Sequence, residues 1–465
     1  MSRNKELVKN TAIIFVGKLF TQFISFILIP IYTFFLDTTS YGYIDLVQTY
    51  ITLIVPILIL RFDSSIFRFL IDVRNDEKKK SSIISSSFFV IIIQLVIFLL
   101  VMVICSNFIT IKYIVAIIIN VIVLSVSSLL LQIPRGNGNM TKYSIASIIC
   151  GITTTIFTIL FIVYLKFDAS YILFSSSIGN LICIIYLFIT EKIYNSIKIS
   201  FINKTMIKDM TKYSLPMIPD SLSWWVVNVS DRTIITAILG VVYNGIYAIS
   251  CKFSNILATF FIIFNLSWQE SASVHINDSD NNVFFSDILN KSIIIFSILC
   301  IGIMVAIPFV YSVFIGKEYL SSYVYIPILL LGNLFNSLAN VTGGIYIAMK
   351  KTDKVARTTI LGAIINIVFN IIFIKTIGLW AAAISTAIAY IVVCVYRYVD
   401  IKKYIDLKVN YSYIIYIFIY FCLSLILYYI NNIILNIVNL IVTILISIIL
   451  SKDYIISFIN RKKRV

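Results

Sequence analysis

Apolar residues fall along this chain in runs of about 18 to 27, separated by short polar stretches that hold most of the charge. A helix rises 1.5 Å per residue and the hydrocarbon layer of a bilayer is about 30 Å thick, so each run is long enough to cross a membrane. Fourteen runs qualify, near residues 12–36, 41–61, 83–105, 113–133, 143–165, 170–190, 213–239, 243–268, 292–315, 323–349, 358–375, 378–396, 412–430 and 433–450. The pattern predicts an all-α integral membrane protein of about 14 transmembrane helices.

Composition strengthens that reading. The chain is 60% hydrophobic and 12% charged, with a mean hydropathy of +1.00, whereas soluble domains carry about a quarter charged residues. The amino terminus, MSRNKELVKN, leads into the first run without a small-residue cleavage site and reads as preceding a retained span rather than a removed signal peptide.

A net charge of +16 suits a nucleic-acid partner only until its distribution is considered. With the amino terminus placed inside, thirty Lys and Arg fall in inner segments and four (Lys112, Lys166, Lys317, Lys375) in outer loops, with Lys18, Arg232 and Lys252 left inside spans. One missed span would destroy that asymmetry, so both termini are expected in the cytoplasm, in a multi-pass protein of the cytoplasmic membrane. Membrane lipids are its expected surroundings, and nucleic acid is not a partner.

The chain also repeats weakly. Leu36 to Gly42 aligns with Leu239 to Gly245, and Arg135 to Ile152 aligns with Met349 to Ile367. The expected organisation is two pseudo-symmetric six-helix lobes (1–190 and 213–396), a basic cytoplasmic linker (191–212), and two additional C-terminal helices with a basic tail (397–465). Repeats with a site between them are a transporter design. The linker mixes Ile, Phe and Met with Lys, which fits either an interfacial amphipathic helix or a solvated connection.

Ionisable groups inside spans cost roughly 2.5–3.5 kcal/mol each on insertion scales, so they mark cavities or partners. Span one carries Lys18 with Gln22 one helical turn on; span two carries Asp45, with Arg61 at its inner end. Span seven carries Asp220, Trp224, Asn228 and Asp231 as one polar stripe beside Arg232, and span eight carries Lys252 near Asn255. Measured from the outer end, Arg232 lies about 10 Å deep, Lys252 near mid-depth and Lys18 about 27 Å deep. Lys18, Arg232, Lys252 and Arg61 therefore make a candidate cationic ladder suited to an anion such as phosphate. The competing readings are that Arg61 snorkels to the interface and that Arg232 belongs to a structural ion pair. Adjacent residues on a helix point about 100° apart, so Asp231 is poorly placed to hold Arg232, and Asp45 is a candidate partner instead.

The seven cysteines sit within apolar runs without metal-ligand spacing, and the single histidine, His275, lies in a polar loop. No metal site and no cofactor is expected. No HExxH, GxSxG or P-loop motif occurs, so an enzyme and direct ATP use are both disfavoured. Asp45, Asp220 and Asp231 are the candidate proton carriers if an ion gradient drives a cycle.

Four stretches resemble a known family: YSLPMIPDSLSWWVVNVSDR (213–232), NGIYAISCKFSNIL (244–257), FNLSWQESA (264–272) and INIVFNIIFIKTIGLWAAAISTAIAYIV (365–392). They are similar to the polysaccharide-biosynthesis flippases that move lipid-linked oligosaccharide repeat units. These belong to a superfamily that also holds multidrug and toxin extruders and lipid II flippases. The resemblance implies alternating access by two lobes around a cationic cavity, with an undecaprenyl-diphosphate-linked glycan as cargo. It also implies a polysaccharide polymerase and glycosyltransferases as working partners. The alternatives are a cation-coupled multidrug exporter, a lipid II-type flippase, or a scaffold for a polymerising complex. The basic intramembrane set argues against an exporter of cations, and the cost of buried charge argues against a scaffold.

Overall fold

A computed structural model describes residues 26–108 and 111–462, together with 17, 20, 23 and 24. It is all-helical among the described residues, and the chain forms two compact units, Met1–Thr233 and Ile234–Val465.

The first unit runs through α1 (Phe26–Phe35), α2 (Thr38–Leu58), α3 (Phe62–Asp72), α4 (Glu77–Ser106), α5 (Ile114–Leu130), α6 (Gln132–Gly136), α7 (Met140–Thr158), α8 (Tyr171–Thr190), α9 (Ile193–Ser196) and α10 (Lys204–Ser214), and into α11 (Ile218–Ile238). Side-chain caps set several starts. Asp37 accepts from the backbone N–H of Thr39 and Ser40 at 3.1 and 3.0 Å, and Asn203 accepts from Thr205 and Met206 at 2.9 and 3.2 Å. On α4, Ile92, Val96, Leu100 and Val103 form one exposed apolar row, which in a membrane protein faces lipid.

The expected span 41–61 divides. α2 ends at Leu58, and Leu60 and Arg61 both take positive φ (50° and 56°), turning the chain into α3. Phe62, Ile66 and Leu70 of α3 are fully buried against residues such as Leu130, Ile133 and Met210. This layer of short helices gathers at the end of the unit that carries the basic loops. Part of the linker packs into it through Ile193 and Met210, while Lys192, Lys198, Lys204, Lys208 and Lys212 stay exposed. Ser65 Oγ donates to the Met210 carbonyl at 2.8 Å, Ser85 Oγ to that of Ser196 at 2.6 Å, and the Asn203 N–H to Ser86 Oγ at 3.0 Å.

The second unit contains α12 (Val241–His275), α13 (Asn281–Phe314), α14 (Ile326–Ala348), α15 (Thr352–Ile377), α16 (Leu379–Ile401), α17 (Tyr411–Ile430) and α18 (Ile433–Lys462). A 35-residue helix such as α12 is about 52 Å long and outreaches the hydrocarbon layer. Trp268 explains the WQESA stretch structurally: its indole N–H donates to the Val341 carbonyl at 2.9 Å, and its ring lies over Gly344, where any Cβ would collide with it. Gly378, at φ 58°, makes the turn between α15 and α16. α17 and α18 pack against α13, and the Tyr323 and Tyr428 rings stack with centroids 4.2 Å apart.

Eleven helices among the described residues are long and apolar enough to cross a membrane. The other three predicted spans fall on Phe26–Phe35, Ile218–Ile238 and Ile433–Ile449. The chain is a multi-pass membrane protein.

The aligned loops begin α2 at Thr38 and α12 at Val241, the same step of the alignment. Lys142 is the third residue of α7 and pairs with Glu191 just beyond α8 at 2.9 Å; Lys354 is the third residue of α15 and pairs with Asp400 at the end of α16 at 2.6 Å. The first pair fastens α7 to the end of α8, and the second fastens α15 to α16.

Candidate functional site

Within the first unit, α2 and α11 meet along a seam that holds three of the predicted site residues. Near one end Arg232 Nη1 donates to Asp45 Oδ2 at 2.6 Å and to Thr49 Oγ1 at 3.2 Å. Asp45 and Thr49 are one turn apart and so share a face of α2, which is why one guanidinium reaches both. The Asp45 side chain is 4% exposed and that of Arg232 18%, so the carboxylate is desolvated while the guanidinium keeps an open side. Asp45 therefore holds Arg232 from the neighbouring helix. Asp231 is itself buried.

At the other end, Arg61 sits at the corner where α2 stops. Nη1 donates to Ser221 Oγ and Nη2 to Ser64 Oγ, both at 2.6 Å, and Nε lies 3.3 Å from Asp63 Oδ1. Arg61 thus reaches across to α11 through Ser221. Among the described residues, Arg61 Nε and Asp63 Oδ1 are buried and make no hydrogen bond, so this pair holds charge without completing its donor set. Ser221 and Arg232 are eleven positions apart on α11, about 16 Å along its axis.

Between the two arginines lie aromatic rings. Trp225 donates its indole N–H to the Thr49 carbonyl at 2.9 Å, and its ring is 5.8 Å from that of Tyr50 at 33°. The Tyr50 hydroxyl is 3.2 Å from Thr233 Oγ1. The order along the seam is cation, aromatic pair, cation, each arginine with its own carboxylate. A charged seam at this depth belongs against water or protein rather than hydrocarbon.

The other expected residues are placed as follows. Lys252 is half-buried on α12 in the second unit, the twelfth residue of its helix. Asn255 accepts from Asn333 Nδ2 at 3.4 Å. Lys18 and Gln22, and the side chains of Asp220 and Asn228, lie outside the described residues.

Sequence reasoning did not single out Thr49, Tyr50, Ser221 or Trp225. The i+4 step from Asp45 to Thr49 and the position of Trp225 in the span-seven motif were the available signals. It also counted Arg397 as a loop charge. Arg397 lies in α16, is 3% exposed, and donates to the Ala339 and Val355 carbonyls at 2.8 and 3.2 Å and to the hydroxyls of Thr358 and Thr359 at 2.8 and 3.0 Å. Buried Asp400 nearby accepts from Lys354, Tyr346 and Lys403 at 2.6, 2.8 and 3.1 Å. Asn366 on α15 donates to Ser385 and Thr386 on α16 at 3.2 and 3.1 Å. Among the described residues, no group of His, Cys, Asp and Glu is arranged to hold a metal ion.

The fold defines a class of helical membrane proteins. The structure is similar to that of a lipid II flippase, MurJ, in an inward closed conformation, with a TM-score of 0.69, 17% identity, and coverage of 96% of this chain and 100% of that one. It is also similar to an inward-facing multidrug resistance MATE family transporter, with a TM-score of 0.68, 13% identity, and coverage of 82% and 95%. At such identities the likeness is one of fold. The model of the polysaccharide biosynthesis protein family matches residues 7–269, more than half of the chain, and the chain belongs to that family. Over 112 residues it is 28% identical to the probable low-salt glycan biosynthesis flippase Agl15 of Haloferax volcanii, a match that spans 24% of each protein.

Proposed function

We propose that this chain is a flippase that carries polyprenyl-diphosphate-linked oligosaccharide repeat units, undecaprenyl-linked in the bacterial case, across the cytoplasmic membrane by alternating access. Family membership and the fold shared with a lipid II flippase support the class. The observation that carries the substrate is the seam, where two arginines are each held by a nearby carboxylate and each keeps some exposure. An arginine fork matches a phosphate in planar, bidentate geometry. A resident carboxylate keeps the cation compensated when the site is empty and yields it when a diphosphate arrives, so no bare charge is left in the bilayer at either stage. Lys18 and Lys252 complete the cationic set in this reading, both termini are cytoplasmic, and the lipid tail stays in the bilayer while the headgroup passes. The polymerase and glycosyltransferases that make and use the cargo are its working partners.

The fold alone also fits a drug exporter. An exporter of organic cations calls for carboxylates open to its cargo, and Asp45 is instead buried and paired with Arg232, which favours the anionic substrate. Depleting the protein in its own cells tests the proposal. Lipid-linked saccharide is expected to accumulate where enzymes reach it only after the cells are permeabilised. Unchanged surface glycan with no accumulation would refute it.

A further inference from the structure

We propose that Tyr50 and Trp225 form a platform on which a sugar ring of the cargo stacks, next to the headgroup that the arginines hold. This rests on the flippase reading and extends it from the diphosphate to the glycan. Four observations carry it.

Both rings are fixed at their far ends, the indole by the Thr49 carbonyl at 2.9 Å and the phenol by Thr233 Oγ1 at 3.2 Å, so neither needs ordering when a ligand arrives. Neither ring is sealed in the core: Tyr50 is 36% exposed and Trp225 is half-buried. They sit on the same two helices as Asp45 and Arg232, with Trp225 four positions from Ser221, the partner of Arg61, and seven from Arg232 on one face of α11. The rings also lie between the two arginines, within reach of a sugar attached to a diphosphate bound at either one.

The chemistry suits a pyranose. The face of an aromatic ring is electron-rich, and the axial C–H groups on one side of a pyranose are weakly positive and apolar. The two rings are in contact, 5.8 Å apart and tilted by 33°, and an aromatic face accepts a saccharide without hydrogen-bonding to particular hydroxyls. The platform therefore reads "sugar" rather than a given sugar, and Trp225→Phe keeps most of its effect while Trp225→Leu removes it.

The test measures binding of two probes to purified full-length protein: a polyprenyl diphosphate bearing N-acetylglucosamine, and the same lipid diphosphate without sugar. The wild type is expected to bind the sugar-bearing lipid about five-fold more tightly, within the range of single aromatic ring contacts. Trp225→Leu and Tyr50→Leu are expected to bring the ratio close to one while leaving affinity for the bare lipid diphosphate within about two-fold, and Trp225→Phe to restore most of the preference. Unchanged affinity for the bare lipid also shows that the variant is folded. A ratio that persists in both Leu variants, or a wild type that binds the two lipids equally, overturns the platform and leaves the flippase reading standing. A wild type that binds neither lipid overturns both.

Discussion

Replacing Asp45 with Asn separates an exchangeable ion pair from a purely structural one. The two side chains have nearly the same shape, so the substitution removes charge and little else. With charge centres about 4 Å apart and an effective dielectric of about 20, the Arg232–Asp45 attraction is about 4 kcal/mol, much of it offset by desolvation of the carboxylate. A hydrogen bond to a charged group contributes about 1.5–3 kcal/mol net and a neutral one about 0.5–1.5, so Asp45→Asn weakens the hold on Arg232 by about 1–2 kcal/mol. That difference has two opposite consequences. The empty protein loses about that much stability, because the charge-assisted bond between Asp45 and Arg232 becomes a bond to a neutral amide. An incoming diphosphate no longer displaces a carboxylate, so its affinity rises by roughly 5- to 30-fold. Thermal unfolding of the purified protein and titration with a polyprenyl diphosphate read the two effects separately. Weaker or unchanged binding by Asp45→Asn would refute the exchange, because it would mean that Asp45 does not compete with the headgroup for Arg232.

Other predictions follow from the same geometry. Gly344→Ala is expected to destabilise the protein by about 1–3 kcal/mol through collision with the Trp268 ring, and Trp268→Ala by about 3–5 kcal/mol through the cavity it leaves, both read by thermal unfolding. Asp400→Asn is expected to cost more stability than Glu191→Gln, since Asp400 accepts from two lysines and a tyrosine; equal losses would contradict that ranking. Lys18→Ala and Lys252→Ala are each expected to slow transport at normal membrane insertion, and normal transport by both would remove them from the cationic set.

Much of the fold was legible because lipid imposes a simple rule: every backbone polar group must be satisfied within the segment, so span length and loop charge carry the architecture. What sequence could not supply lies where that rule stops. α3 and α10 lie outside the spans, and their placement depends on contacts such as Ser65 with Met210 that no periodicity reveals. The corner at Leu60 and Arg61 needs two non-glycine residues at positive φ, against their intrinsic preference, so the expected span ran through it. At the seam, Asp45 and Arg232 stood out as charges in apolar runs, whereas Trp225 and Tyr50 looked like ordinary membrane aromatics until their ring anchors were seen. Arg397 was hidden for the opposite reason: it lies close enough to the end of its run to read as a loop charge, yet main-chain carbonyls and threonines enclose it.

The central claim is that Arg232 receives the cargo's diphosphate. The most direct test is the rate at which purified protein in proteoliposomes moves a polyprenyl-diphosphate-linked oligosaccharide between leaflets, wild type against Arg232→Ala. Loss of a charge-assisted contact of about 1.5–3 kcal/mol predicts a rate at least about ten-fold lower for the variant. Equal rates for the two proteins, or no movement of this lipid by the wild type, would contradict the account.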